Sequence, residues 1–241
     1  MNVPASLDAL RAGLASGAHG GLARGRLARG GASRRAAVLI LPFATGPLSA
    51  SGPDGLSIVL IEKTAHLRSH AGQLAFPGGT IEESDASPVA AALREADEEV
   101  GIAPASVDVL GELPTAHVRV SGFDVAPVVG WWRQPAPLAP RDTDEVAAAH
   151  VVSMADLVAP ENRATWVYAS GFDGPAFVIG DLFVWGFTAA LLAGQWWGGR
   201  GERRADLDRR EAAEAQRARD VGRLAGDIAE RQRDLAQSAS Q

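Results

Sequence analysis

Between Phe76 and Ile102 the chain reads FPGGTIEESDASPVAAALREADEEVGI, and this stretch constrains the fold more than any other. A proline and two glycines open it, an acidic loop follows, and a short helix closes it. Ser87 is a good N-cap, and Pro88 suits the first helical position, where its missing N–H costs nothing. Val89, Leu93, Ala96 and Val100 then recur at helical spacing, and Gly101 supplies the stop. The pattern predicts a helix with one apolar face. On the other face Glu95, Glu98 and Glu99 stand at i, i+3 and i+4, which brings three carboxylates within one turn. Arg94 precedes Glu98 by one turn and is placed to hydrogen-bond it.

Clustered carboxylates repel one another, so without a compensating cation some of them hold protons at neutral pH. Hard divalent metals take oxygen ligands of this kind, and magnesium is usually held by one or two carboxylates with waters and substrate phosphates completing the set. Gly78 and Gly79 add a place where backbone approaches a ligand closely. The same three glutamates also read as a solvated acidic helix face. The residues around them decide between the two.

With glycines and spacing taken together, the stretch resembles the Nudix box. Gly79 opens it, and Arg94, Glu95, Glu98, Glu99, Gly101 and Ile102 close it. Asp85 stands where the box has its first Glu, eight residues rather than the family's seven separate it from Arg94, and Ala96 is small for its position. The Asp and the one-residue expansion are similar to the coenzyme A diphosphatase branch of that family. So is the upstream segment IEKTAHLRSHAGQLAFPGG, from Ile61 to Gly79, with Lys63 in place of an arginine. Further segments that look like the branch are Ser121 to Gly130, Asp144 to Val146 and Phe183 to Ala189. The likeness covers about residues 36 to 199.

The resemblance implies an α/β fold, a Nudix-type α/β/α sandwich with a mixed β-sheet. The order of strands and helices along the chain suits a sheet between helices as well. It further implies hydrolysis of a diphosphate bond dependent on Mg2+ or Mn2+, with coenzyme A or its derivatives cut to 3',5'-ADP and 4'-phosphopantetheine. Alternative readings are another nucleoside diphosphate derivative, such as ADP-ribose or an oxidised dNTP, and a catalytically silent nucleotide-sensing module. In the family pattern the metal ligands are Glu95 and Glu99, with Glu98 completing the site, and Arg94 orients the carboxylates. Glu98 competes with Glu145, a carboxylate outside the box, as the group that takes a proton from water. Arg68 and His70, with Gln73, lie in the branch signature as substrate contacts, and the backbone at Gly78 and Gly79 adjoins them.

Composition sets the limits. From Ala36 to Gly199 seven Lys and Arg face 19 Asp and Glu, a net charge of −12, so the region is not expected to bind nucleic acid through its general field. Its expected partner is a small nucleotide. No cysteine is present, which excludes disulfides and thiolate chemistry and is compatible with a reducing cytoplasm. No signal peptide is evident.

Composition also divides the chain into residues 1–35, a short helix with a Gly/Arg-rich arm, 36–199, the hydrolase domain, and 200–241, a charged helical or disordered tail. The arm, from Gly20 to Arg35, reads as a flexible linker. Leu207, Val221, Leu224, Ile228 and Leu235 make a broken heptad in the tail, which permits a homodimer. Strands are expected at Ala36 to Phe43, Leu56 to Ile61, Val107 to Leu113, Phe123 to Trp132 and Ala147 to Val152. A late hairpin is expected from Trp166–Tyr168 and Ala176–Ile179. Asp181 to Trp197 reads as a mostly buried terminal helix, because its apolar run is too short to span a membrane.

Overall fold

The computed structural model describes residues 34–48, 54–67, 71–118, 121–167 and 173–196, together with Leu7 and Leu14. The chain separates into two compact units, Met1–Trp197 and Gly198–Gln241, and the described residues belong to the first. The tail heptad and most of the Gly/Arg-rich arm lie outside the described residues.

Apolar alternation builds one mixed sheet. Strands β1 (Arg34–Ile40) and β8 (Phe123–Trp132) pair in parallel, β5 (Gly78–Thr80) adds antiparallel to β1, and β6 (Val107–Glu112) and β7 (Ala116–Val118) pair with successive parts of β8. In a second sheet β3 (Leu56–Lys63) takes β2 (Pro42–Ala44) and β4 (Leu74–Ala75) along one edge and β9 (Val146–Ser153) along the other. A third, small sheet joins β10 (Arg163–Val167), β11 (Asp173–Ile179) and β12 (Leu182–Val184). The helices are α1 (Pro88–Val100), α2 (Met154–Val158) and α3 (Gly186–Trp196).

Strand β3 lies between two cores, which explains why it is apolar on both faces. Ile58 and Leu60 pack with Leu74, Phe76, Met154 and Leu192, while Val59 and Ile61 pack with Leu39, Val128 and the alanines of α1. Leu7 is buried in the first of these cores. Among the described residues no helix is long and apolar enough to cross a membrane.

Three expectations need correction. The run from Ala36 to Phe43 breaks at Leu41 into β1 and β2, which join different sheets. The terminal apolar run does not begin as helix: Leu182–Val184 pairs antiparallel with Phe177–Ile179, and α3 starts only at Gly186. The apolar face of α1 is centred differently as well. Ala91, Ala92, Ala96 and Val100 are buried, whereas Val89 and Leu93 are only partly so, and Glu99 is buried with the alanines. Alanines at the contact let α1 lie close to β1 and β5, and a glutamate one turn on is thereby carried inside. In the late hairpin β10 and β11 pair from Arg163 to Val167, and Tyr168 lies outside the described residues.

Candidate active site

Helix α1 is fixed at both ends by its own sequence. The Ser87 hydroxyl accepts from the Ala90 N–H at 3.1 Å, and Pro88 occupies the first turn. At the other end Gly101 has φ 78°, and its N–H donates to the Asp97 carbonyl as in an αL cap, while the Ile102 N–H donates to the Ala96 carbonyl. The Arg141 N–H satisfies the Glu99 carbonyl at 2.8 Å. The helix is therefore a rigid mount for its side chains.

Glu99 is 3% exposed, with both carboxylate oxygens engaged: Oε1 accepts from Lys63 Nζ at 2.7 Å and Oε2 from the Gly78 N–H at 2.9 Å. Burial pushes its pKa above the ordinary glutamate range, and the charge and hydrogen bond of Lys63 only partly oppose that. Glu95 is raised by burial too, against the pull of Arg94. Burial disfavours the Lys63 ammonium, yet Glu99 and Glu145 together hold its pKa above the ordinary lysine value.

Arg94 gathers the box. Its guanidinium donates to both oxygens of Asp85 (3.1 and 3.0 Å), to Glu98 at 2.8 Å, to Glu95 at 3.1 Å and to the Thr80 carbonyl at 3.1 Å. These bonds tie Asp85, Glu95, Glu98 and the Thr80 carbonyl to one guanidinium. Asp85, the residue that departs from the box pattern, is a structural partner of Arg94 here. It also accepts from the Glu82 N–H at 2.9 Å. The hydrogen bonds from Arg94, then the one from Glu82, hold its carboxyl below the usual aspartate range.

A pH dependence follows from that depressed pKa. The unfolded chain takes up the Asp85 proton first, so the stability Asp85 confers is present above the ordinary carboxylate pKa and is lost as pH falls through its folded value. Asp85→Asn is expected to melt below wild type at pH 7, and the gap is expected to narrow as pH falls below the ordinary aspartate pKa of about 3.9. Thermal melts across that range check it. A gap independent of pH would show that Asp85 acts by shape alone.

The structure brings Glu145 to the same place from far along the chain. Thr64 donates its N–H to the Glu145 carbonyl (2.9 Å) and its hydroxyl to the Asp144 carbonyl (2.8 Å), tying the start of β9 to the end of β3. Asp142 Oδ1 accepts from the N–H groups of Asp144 and Glu145. Glu145 then meets Lys63 at 3.1 Å, which makes Lys63 a bridge between Glu145 and Glu99. Glu98 stands apart from that bridge, 58% exposed and turned to Arg94. Arg68 and His70 lie outside the described residues. Sequence reasoning noted Lys63 only as a substitution and did not see Asp142 or Thr64; an ionisable residue ending an apolar strand and an Asp-x-Asp turn were the available signals.

Lys63 and Glu145 stand at a cleft of about 830 Å3, whose lining also includes Gly78 and Gly79 with Val38, Phe76, Phe123 and Phe187. The two glycines differ in what they make room for. A Cβ at Gly78 would lie 2.3 Å from the Ala37 carbonyl oxygen, whereas one at Gly79 would lie 2.5 Å from Glu95 Oε1. The empty position at 79 is what lets the Glu95 carboxylate rest against β5. The carboxylates of Glu95, Glu98 and Glu99 are oxygen donors of the kind a hard divalent cation takes, and Glu99 would have to exchange Lys63 for such an ion.

The fold and this cluster define an α/β protein in which β5 separates the carboxylates of one short helix from a largely apolar cleft, with Lys63 and Glu145 in the cleft wall. The model of the NUDIX domain matches residues 34–170. "Uncharacterized Nudix hydrolase NudL" of Escherichia coli (strain K12) is 40% identical over 162 residues, covering 66% of this chain and 79% of that protein. The protein of the same name from Shigella boydii serotype 18 is likewise 40% identical over 162 residues. Among solved structures, a Caenorhabditis elegans Ap4A hydrolase binary complex has 17% identity and a TM-score of 0.41, covering 52% of this chain and 83% of that one. The NUDIX domain of Shewanella oneidensis NrtR complexed with ADP ribose has 18% identity and a TM-score of 0.39, covering 56% and 77%. The chain belongs to the Nudix family. It is a Nudix hydrolase, of a kind that acts on nucleoside diphosphate derivatives, and such hydrolases generally use divalent ions such as Mg2+ or Mn2+.

Proposed function

We propose that this hydrolase cuts the diphosphate bond of coenzyme A or its derivatives, giving 3',5'-ADP and 4'-phosphopantetheine. One observation carries the reading. The segment Ile61 to Gly79, which bears the branch signature, supplies Lys63, Leu67, Gln73, Leu74, Phe76 and Gly78 to the cleft wall. The described part of that signature therefore lies where a substrate would be distinguished.

In this reading Glu95 and Glu99 hold the divalent ion, with Glu98 beside them. Among the described residues no three His, Cys, Asp or Glu side chains are gathered closely enough to hold a metal ion by themselves. Waters and substrate phosphate would supply the remaining ligands, as is usual for magnesium. When bound, such an ion lowers the pKa of water and neutralises phosphate charge. The protein's own part is positional. Arg94 keeps Glu95 and Glu98 in fixed directions, and the Gly78 N–H holds Glu99. Lys63 meets the phosphate side of the substrate with a positive charge, and Glu145, 55% exposed beside it, takes the proton from the attacking water, with Glu98 as the competing base. A reducing cytoplasm suits a chain without cysteine.

The test is a substrate panel of coenzyme A, ADP-ribose and dGTP, with and without magnesium, analysed by chromatography. Coenzyme A is expected to yield 3',5'-ADP faster than either alternative is cleaved, and only with the metal. Turnover of ADP-ribose or dGTP without turnover of coenzyme A would reject the reading.

A further inference from the structure

We propose that the end of the cleft remote from Glu99 is a second anion site, formed by Arg34 on Phe123, that takes a phosphate ester carried on the nucleoside side of the substrate. The inference deepens the reading above and rests on it for the identity of that substrate.

The cleft floor is one face of β1 and β8. Successive residues of a strand alternate between faces, so Ala37 and Leu39 pack under α1 while Arg34, Ala36 and Val38 share the opposite side. Ala36 and Val38 line the cleft, as do Phe123 and Val125 on β8. Register fixes the two ends. Val38 lies opposite Gly78, whose N–H holds Glu99, and Arg34 lies opposite Phe123. Four residues of strand put these ends about 13 Å apart, a separation that a ribose-linked phosphate and arginine's long side chain span together. Between them the floor is small and apolar, suited to the face of a ring.

Four of the other described cationic groups are already paired with carboxylates. Lys63 is shared by Glu99 and Glu145, Arg94 by three carboxylates, Arg133 pairs with Asp108 and Arg141 with Asp97. The Arg34 guanidinium carbon instead lies 4.1 Å from the centroid of the Phe123 ring, with no carboxylate partner among the described residues. An aromatic face orients a guanidinium without neutralising it, and its N–H groups remain directed to an anion. Residues 36–199 carry a net charge of −12, and Arg34 stands at their edge as a cation that a phosphate can meet. The site would favour a nucleotide bearing a ribose phosphate in addition to its 5'-phosphate.

Calorimetric titration of the full chain with 3',5'-ADP and with AMP, in magnesium, isolates that one phosphate. Wild type is expected to bind 3',5'-ADP about two- to fivefold more tightly than AMP, the scale of one exposed charge pair. Arg34→Ala is expected to bring the ratio close to one by weakening 3',5'-ADP alone, and Arg34→Lys to keep part of it. Equal binding of the two nucleotides by wild type, no binding of either, or an Arg34→Ala variant that weakens both alike would overturn the proposal. Coenzyme A turnover is read separately: its absence with the ratio intact removes the substrate reading and leaves the anion site, and the reverse result does the opposite.

Discussion

Glu99→Gln is expected to fold, to melt a few degrees below wild type, and to lose hydrolytic activity by on the order of 100-fold or more, the scale on which single preorganised charges act. The substitution keeps the volume of a residue that is 3% exposed, so no cavity forms. It does change the hydrogen bonding. Both native oxygens accept, one from Lys63 and one from the Gly78 N–H, and an amide has only one acceptor. In either orientation its NH2 group faces another donor. A lost hydrogen bond to a charged group costs about 2 kcal/mol, roughly 5 °C in a unit of this size. Burial already raises the Glu99 pKa, so the native ion pair does not fully offset its desolvation, and this trims the loss. Lys63 also keeps Glu145. Activity is different, because the charge at Glu99 is what a divalent ion would bind. Glu98→Gln gives the comparison: its side chain is 58% exposed and among the described residues pairs with Arg94 alone, so stability should move by no more than about 0.5 kcal/mol. Thermal melts and initial rates on both variants, at saturating magnesium, decide it. A Glu99→Gln enzyme keeping more than a tenth of wild-type activity would reduce Glu99 to a structural acid.

What could be read from the sequence follows the range of the interactions involved. Helix α1 was legible to the residue because its signals are local: Ser87, Pro88 and Gly101 each act within one turn. Strand β8 was legible as a long apolar run between turn residues. The direction in which α1 faces was not, because Val89 and Leu93 obey the same period as the alanines, and only the approach of β1 and β5 selects between them. Glu99 illustrates this most clearly. Its spacing placed it with Glu95 and Glu98, but its partners come from Gly78 and from Lys63, 36 residues away. Glu145 reaches Lys63 across 82 residues, through the pairing of β3 with β9. Strand β12 was hidden for a related reason: an unbroken apolar run carries no period, and its pairing with β11 makes Leu182–Val184 a strand. The box motif made the cluster legible as a family pattern, while Arg34 on Phe123 depends on a parallel register that no local pattern encodes.

The two adjacent glycines are expected to fail in opposite ways. At Gly78 φ is +152° and an added Cβ would lie 2.3 Å from the Ala37 carbonyl oxygen and 2.6 Å from the Val38 Cα. Both obstacles are backbone, so relief requires β5 to move off β1, which also withdraws the Gly78 N–H from Glu99. Gly78→Ala should therefore cost about 3 kcal/mol, at the upper end of overpacking, and lower Tm by roughly 10 °C. At Gly79 the obstacle is the carboxylate of Glu95, with Oε1 at 2.5 Å and Cδ at 2.6 Å. That is the far end of a flexible side chain, 18% exposed, and it can swing aside at the expense of its contact with Arg94. Gly79→Ala should keep stability within about 1 kcal/mol but lower kcat/KM by tenfold or more, since a displacement of about 1 Å in a positioned group has effects of that order. The required metal concentration should rise in the same variant, because Glu95 is a proposed ligand. Melting curves and magnesium titrations of the two variants separate the roles. A Gly78→Ala protein as stable as wild type would mean that β5 is not held against β1 as the structure has it, and a fully active Gly79→Ala enzyme would remove Glu95 from the site.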